Sequence, residues 1–228
     1  RLTEGNFNVN SFKISPDGKM IAFNHQPNPL INSFAKSDIS ILDLESGQSQ
    51  ILVQNPSADS FQDWSPDSKQ LLYTSYVDDT VSNFYTNSKI FVIEVGSKNS
   101  RQIASNLDEN PSGLTWNPKG IFGLFWQKTQ RHLYRIEPKD GSFTILKGFP
   151  EMVTGVSFSQ TGEKLAVNAR NGNQLNEIWV SNVQKSAAKK VTNLTKQIEN
   201  WKVSQSEVVV WRSKDGALIE GVLHKPVD

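Results

Sequence analysis

A short motif recurs along this chain and limits what it can fold into. Ser15-Pro16-Asp17-Gly18-Lys19 returns as Ser65-Pro66-Asp67-Ser68-Lys69, then in looser form as Asn117-Pro118-Lys119-Gly120 and as Ser159-Gln160-Thr161-Gly162. The copies are spaced by 50, 52 and 42 residues. Pro presets φ at the first central position of a turn, Asp accepts the next, and Gly supplies the left-handed residue that closes it. The motif therefore marks tight hairpin turns, and Asp17 and Asp67 are read as turn formers rather than as acids or metal ligands.

Strand-like segments flank every copy. Before the turns stand Phe12-Lys13-Ile14, Trp64, Leu114-Thr115-Trp116 and Val156-Ser157-Phe158. After them come the apolar runs Met20–Phe23, Gln70–Tyr73, Ile121–Phe125 and Lys164–Val167. A third and a fourth strand follow in each repeat, as in Asp38–Leu44 with Gln50–Val53. Four antiparallel strands repeating about every 40–50 residues predict an all-β chain of four β-propeller blades. The blades are expected at about 1–54, 55–104, 105–147 and 148–194, within a propeller region of 1–200. A linker and a hairpin fill 201–228.

Composition narrows function mainly by exclusion. Lys and Arg total 24 against 23 Asp and Glu, so no net field recruits nucleic acid or an anionic membrane. The chain has no cysteine, which removes disulfides, thiol nucleophiles and thiolate metal sites and leaves cytoplasm and periplasm equally open. No apolar run reaches the roughly 20 residues of a membrane-spanning helix. His25, His132 and His224 stand in no metal-binding spacing. There is no Gly-x-Ser-x-Gly elbow, since Gly155-Val156-Ser157-Phe158-Ser159 lacks the second Gly, and no phosphate-cradling glycine loop. No catalytic residue, cofactor or metal is expected within these 228 residues.

Strand parity places the connections between second and third strands on the same face as those between blades. Two of these connections, from Asn24 to Ser37 and from Ser75 to Ser88, are long. They carry His25, Phe34, Tyr76, Asp78, Asp79, Phe84 and Tyr85, the candidates for contact with a substrate or partner. Trp64, Trp116 and Phe158 hold one place in successive repeats and are read as packing between blades.

The repeat breaks after the fourth blade. Glu207–Arg212, the turn Ser213-Lys214-Asp215-Gly216 and Ala217–Pro226 read as strand, turn and strand. This tail, with Ile219-Glu220-Gly221 and Leu223-x-Lys225-Pro226, resembles the junction in prolyl oligopeptidase-family (S9) serine peptidases. There the propeller hands over to an α/β-hydrolase domain. The repeats, with Leu2-Thr3-x-Gly5, look like those of the acylaminoacyl- and dipeptidyl-peptidase branches.

The resemblance implies a seven- or eight-bladed propeller whose earlier blades precede Arg1, and a hydrolase domain beyond Asp228 that holds the Ser, Asp and His of catalysis. It makes this chain a noncatalytic, substrate-gating part of an enzyme that hydrolyses short peptides, with that domain and the peptide as partners. No Glu-Glu pair occurs, so the amine-binding device of dipeptidyl-peptidase relatives is not expected. The alternative is a protein-binding scaffold resembling TolB-type or WD40-like propellers. Unpaired blade faces in a partial propeller also predict self-association.

Overall fold

The computed structural model describes residues 2–77 and 86–227. The first repeat folds as β1 (Asn8–Ile14), β2 (Met20–Gln26), β3 (Asp38–Asp43) and β4 (Ser49–Val53), paired in chain order as one antiparallel sheet. The second is built the same way from β5 (Asp59–Trp64), β6 (Gln70–Ser75), β7 (Lys89–Glu94) and β8 (Ser100–Ile103). The third supplies β9 (Ser112–Asn117), β10 (Gly120–Gln127), β11 (Gln130–Ile136) and β12 (Phe143–Ile145). The fourth supplies β13 (Met152–Phe158), β14 (Lys164–Arg170), β15 (Glu177–Asn182) and β16 (Lys185–Lys190). A single parallel pair, Arg131 with Met152, joins these last two repeats into an eight-stranded sheet. The tail is the separate hairpin β17 (Gln205–Arg212) and β18 (Leu218–Lys225).

The turns work as their residues dictate. Ser15 Oγ donates to Asp17 Oδ1 (2.6 Å) and accepts the Met20 N–H (2.9 Å), while Asp17 Oδ1 also takes the Lys19 N–H (3.1 Å). Ser65, Asp67, Lys69 and Gln70 repeat the pattern within 0.1 Å. The Asp17 carboxyl is held below its usual range by the Ser15 hydroxyl and then the Lys19 amide. Gly18 sits at φ 73°, and Ser68 takes the same left-handed place at φ 63°. A serine is disfavoured there, but its Oγ accepts the Asp17 N–H at 3.1 Å, tying one turn to the next. The tail uses the same device, with Ser213 Oγ donating to Asp215 and Gly216 at φ 87°.

Middle strands of a four-stranded sheet are covered on both faces when blades stack, so they read as unbroken apolar runs rather than alternating ones. Leu71, Leu72 and Tyr73 in β6 and Ile121 and Phe122 in β10 are all buried. Outer strands are polar: β16 carries Lys185, Lys189 and Lys190, a charge pattern that discourages edge-to-edge pairing.

The chain divides into two compact units. One holds Arg1–Phe122 with Ile136–Phe143, the other Gly123–Arg135 with Thr144–Asp228. In the first, Ala22, Ile39, Ile41, Leu52 and Val53 from the first blade form one cluster with Phe61, Trp64, Leu71, Tyr73 and Ile93 from the second. In the second, Phe125 meets Tyr134 edge-on (ring centroids 5.1 Å apart), and Val153, Leu165, Val167 and Ala169 are buried.

The loop expected from Asn24 begins later. β2 runs to Gln26, and a 3-10 helix, Ile31–Lys36, occupies the middle of the connection. Side chains at the strand end explain the extension. His25 lies 5.1 Å from the Phe7 ring and 5.6 Å from Phe23, with Nε2 2.8 Å from Ser40 Oγ on β3.

Candidate functional site

Inner strands carry the first polar constellation. Asp63, one residue before Trp64 at the end of β5, is buried and makes four bonds. Its Oδ1 accepts Lys13 Nζ (2.6 Å) from β1 and the Trp64 N–H (2.8 Å). Its Oδ2 accepts Thr115 Oγ1 and the Trp116 N–H, both at 2.9 Å, from β9. One carboxylate thus fastens three successive inner strands. Trp64 Nε1 donates to the Lys13 carbonyl oxygen (3.0 Å) beside it. With every oxygen satisfied by the chain itself, this group has no atom aimed at a ligand.

At the opposite, loop-bearing ends of the same blades stands a second network. Asn24 Nδ2 donates to the Asp59 carbonyl (2.9 Å) and its Oδ1 accepts the Phe61 N–H (2.8 Å), so one amide reads the backbone of the next blade. Ser37 Oγ also donates to the Asp59 carbonyl (2.8 Å). The Asp59 carboxylate is fully buried and accepts Asn55 Nδ2 (2.9 Å) and the Asn55 N–H (3.1 Å). Burial pushes its pKa up, and the hydrogen bonds from Asn55 and Ser75 counter only part of that. A raised, enclosed carboxyl fits a site candidate by its titration, but its bonds close on the 55–59 loop and on Ser75. It fixes the loop that precedes β5.

The candidates chosen from the sequence fall differently. His25 belongs to β2, and burial lowers its pKa while nearby Asp38 acts the other way. Phe34 lies half-exposed in the 3-10 helix, and Tyr76 follows β6, partly buried. Asp78, Asp79, Phe84 and Tyr85 lie outside the described residues. His25 and Phe34 therefore share the loop-bearing end of the first blade, one as a packed ring and the other as an open one. Among the described residues no three His, Cys, Asp or Glu side chains gather to hold a metal ion.

In the second unit, the hairpin is pinned by Glu220 on β18. Glu220 Oε1 accepts Thr129 Oγ1 (2.6 Å) from the β10–β11 turn, and Oε2 lies 3.5 Å from Lys128 Nζ. The Thr129 hydroxyl is the main cause that holds the Glu220 carboxyl below its usual range. Ser206 Oγ donates to Asn173 (3.0 Å) on the β14–β15 connection. Between the hairpin and these loops lies a cleft of about 240 Å³, with Glu151, Arg170, Glu207 and His224 in its wall. Charges of both signs line it. Glu220→Ala is expected to raise amide hydrogen exchange across β17 and β18 several-fold while leaving the first unit unchanged, since the ladder would keep its own bonds but lose its main tether.

Glu177, at the start of β15, is buried and holds the next connection. It accepts Thr192 Oγ1 (2.5 Å), the Leu194 N–H (2.9 Å) and the Thr195 N–H (2.8 Å). Burial alone would raise its pKa, but these donors outweigh it and bring it to about 2. A folded value below the unfolded one means that this stability is complete above the ordinary glutamate pKa and fades as pH falls towards the folded value. Glu177→Gln should therefore lower the unfolding midpoint at pH 6–7, and the difference from the parent protein should shrink between pH 4.5 and 2.5. Thermal melts across that window check the sign.

No protein-family model and no curated protein matches the sequence. Solved structures do. A puromycin-hydrolyzing peptidase from Mycobacterium tuberculosis superposes with a TM-score of 0.71 at 13% identity, over 100% of this chain and 35% of that one. TolB from Acinetobacter baumannii gives 0.62 at 16% identity, over 98% and 53%. The chain is made of β-propeller blades. An oligogalacturonate lyase in complex with manganese is similar as well (TM-score 0.64, 11% identity, 98% and 67%), so one blade architecture serves proteins with different names. The chain spans about half the length of that TolB and about a third of the peptidase.

The inter-strand role of Asp63 was not readable from one residue. A signal did exist: Lys13, Asp63, Thr115 and Ser157 are all polar, each two positions before a turn residue and next to Ile14, Trp64, Trp116 or Phe158.

Proposed function

We propose that this chain is the noncatalytic, substrate-gating propeller part of a serine peptidase that hydrolyses short peptides, its catalytic residues being supplied by an α/β-hydrolase domain. The observation that carries the reading is the hairpin β17–β18. Its sequence resembles the propeller-to-hydrolase junction, and Glu220 ties it to the β10–β11 turn at the loop-bearing end of its own unit. A domain continuing from such a hairpin would face the blade connections, where a gate must act. The similarity to puromycin-hydrolyzing peptidase supports the same reading.

The polar networks support a rigid frame rather than a reaction centre, because Asp63 and Glu177 spend their oxygens on the chain's own donors. A scaffold resembling TolB is the second reading, favoured by the superposition on that protein. The two differ in a simple assay with short peptide p-nitroanilides. The gating reading expects no turnover by residues 1–228 alone and turnover by the full-length protein that contains them. Hydrolysis by the isolated chain, or none by the full-length protein, would overturn it.

A further inference from the structure

Four places in the chain put a glycine after a residue whose side-chain carbonyl carbon its nitrogen could attack. They are Asp17-Gly18, Asp140-Gly141, Asp215-Gly216 and Asn171-Gly172, the one Asn-Gly pair of the sequence. Glycine permits such an attack because it has no side chain to shield its nitrogen and the freest backbone of any residue.

The fold treats the three Asp-Gly pairs alike. In each, the glycine N–H is spent on a main-chain carbonyl: Gly18 on Ser15 (2.9 Å), Gly141 on Glu137 (2.9 Å) and Gly216 on Ser213 (3.0 Å). Each Asp carboxyl is held in its charged form, with the Ser15 hydroxyl, the Ser142 amide and the Ser213 hydroxyl as the leading donors. A charged carboxylate has no hydroxyl to lose and resists attack at its carbon.

Asn171 is arranged differently. It is exposed at the head of the β14–β15 connection, where its main-chain carbonyl accepts the Gln174 N–H (3.0 Å). Among the described residues the Gly172 N–H donates to no acceptor. Asn171 Oδ1 accepts the Glu151 N–H at 3.1 Å, a fixed donor at the atom where negative charge develops once Cγ is attacked. An amide, unlike a carboxyl, is not protected by ionisation. All of these groups belong to the fourth repeat itself.

We propose that Asn171 is a site of spontaneous succinimide formation, a slow covalent modification that alters the wall of the hairpin cleft. Gly172 N gives its proton to water and bonds to Asn171 Cγ. The Cγ–Nδ2 bond breaks, and Nδ2 takes up a proton and leaves as ammonia. Water then opens the cyclic imide at one of its two carbonyl carbons. Opening at Cγ yields aspartate, and opening at the main-chain carbonyl yields isoaspartate, which adds a carbon to the backbone. Gly172 lines the cleft with Glu151 and Glu207, so either product brings a further negative charge to that wall. Isoaspartate also displaces Asn173, the acceptor of the Ser206 hydroxyl from the hairpin. The hairpin therefore loosens as the chain ages. This modification is independent of the peptidase reading.

The test incubates the full 228-residue chain for weeks in mildly alkaline buffer, folded and in urea, and maps aspartate and isoaspartate by peptide mass spectrometry. Folding should slow the three Asp-Gly pairs about tenfold, the rate cost of breaking one main-chain hydrogen bond, and leave Asn171 close to its rate in the unfolded chain. In Gly172→Ala the added carbon stands 3.3 Å from the Ser206 hydroxyl. That variant and Asn171→Gln, whose longer side chain disfavours ring closure, should both stay unmodified, with circular dichroism verifying their fold. Amide exchange across β17 and β18 should rise with the isoaspartate fraction in the aged parent protein and stay constant in the aged variants. A folded Asn171 that survives intact, or reacts no faster than the Asn-Ser pairs at Asn10 and Asn99, overturns the proposal. Unchanged exchange in a fully converted chain overturns it as well.

Discussion

Trp64→Ala is expected to lower the unfolding free energy by about 3–5 kcal/mol, the cost of emptying a large aromatic site in a packed core. Trp64 is 1% exposed and sits in the cluster formed by the first two blades. The substitution would also strip the Lys13 carbonyl of its indole donor. Trp64→Phe keeps most of the volume and should cost less than half as much. Trp201 lies 70% exposed, and alanine there should change stability by no more than about 0.5 kcal/mol. Urea denaturation measures all three. A loss below about 1 kcal/mol for Trp64→Ala would mean that these blades do not depend on each other for their core.

Asp63→Ala should cost about 2–4 kcal/mol, the scale of leaving buried donors without a charged acceptor, and the partners decide why. A Lys13–Asp63 ion pair alone would be a modest contributor, because the Lys13 side chain is about half exposed and such pairs are worth about 0–1 kcal/mol. The larger share comes from the Trp64 and Trp116 N–H groups and the Thr115 hydroxyl, which would lose a charged acceptor inside the fold. Lys13→Ala is therefore expected to cost under about 1 kcal/mol. Equal losses for the two variants would return the effect to the ion pair and contradict the account of Asp63 as a three-strand fastener.

The repeat architecture was legible because its information is local. Ser, Pro, Asp and Gly each have a short-range physical reason to sit in these turns, and the bonds of Ser15 with Asp17 reappear at Ser65 with Asp67. Strand positions followed from the apolar runs. The networks were harder to see because their members lie far apart in sequence: Asp63 reaches back to Lys13 and forward to Thr115. At that position four repeats use four different residues, so no motif forms. Side-chain chemistry had to be seen in register before the common role appeared. His25 shows the reverse difficulty. A histidine beside a long polar connection looks available for binding, yet aromatic neighbours on both sides and Ser40 across the sheet make it part of a strand.

The claim that the blades gate a peptidase is tested most directly by substrate size. The full-length protein containing this chain would be assayed on one cleavable sequence presented as a short peptide, as a longer unfolded peptide, and within a loop of a folded protein. A gate predicts rapid hydrolysis of the short peptide, a steep fall with length, and no cleavage of the folded protein. Cleavage at equal rates in all three settings, or in none, would contradict it.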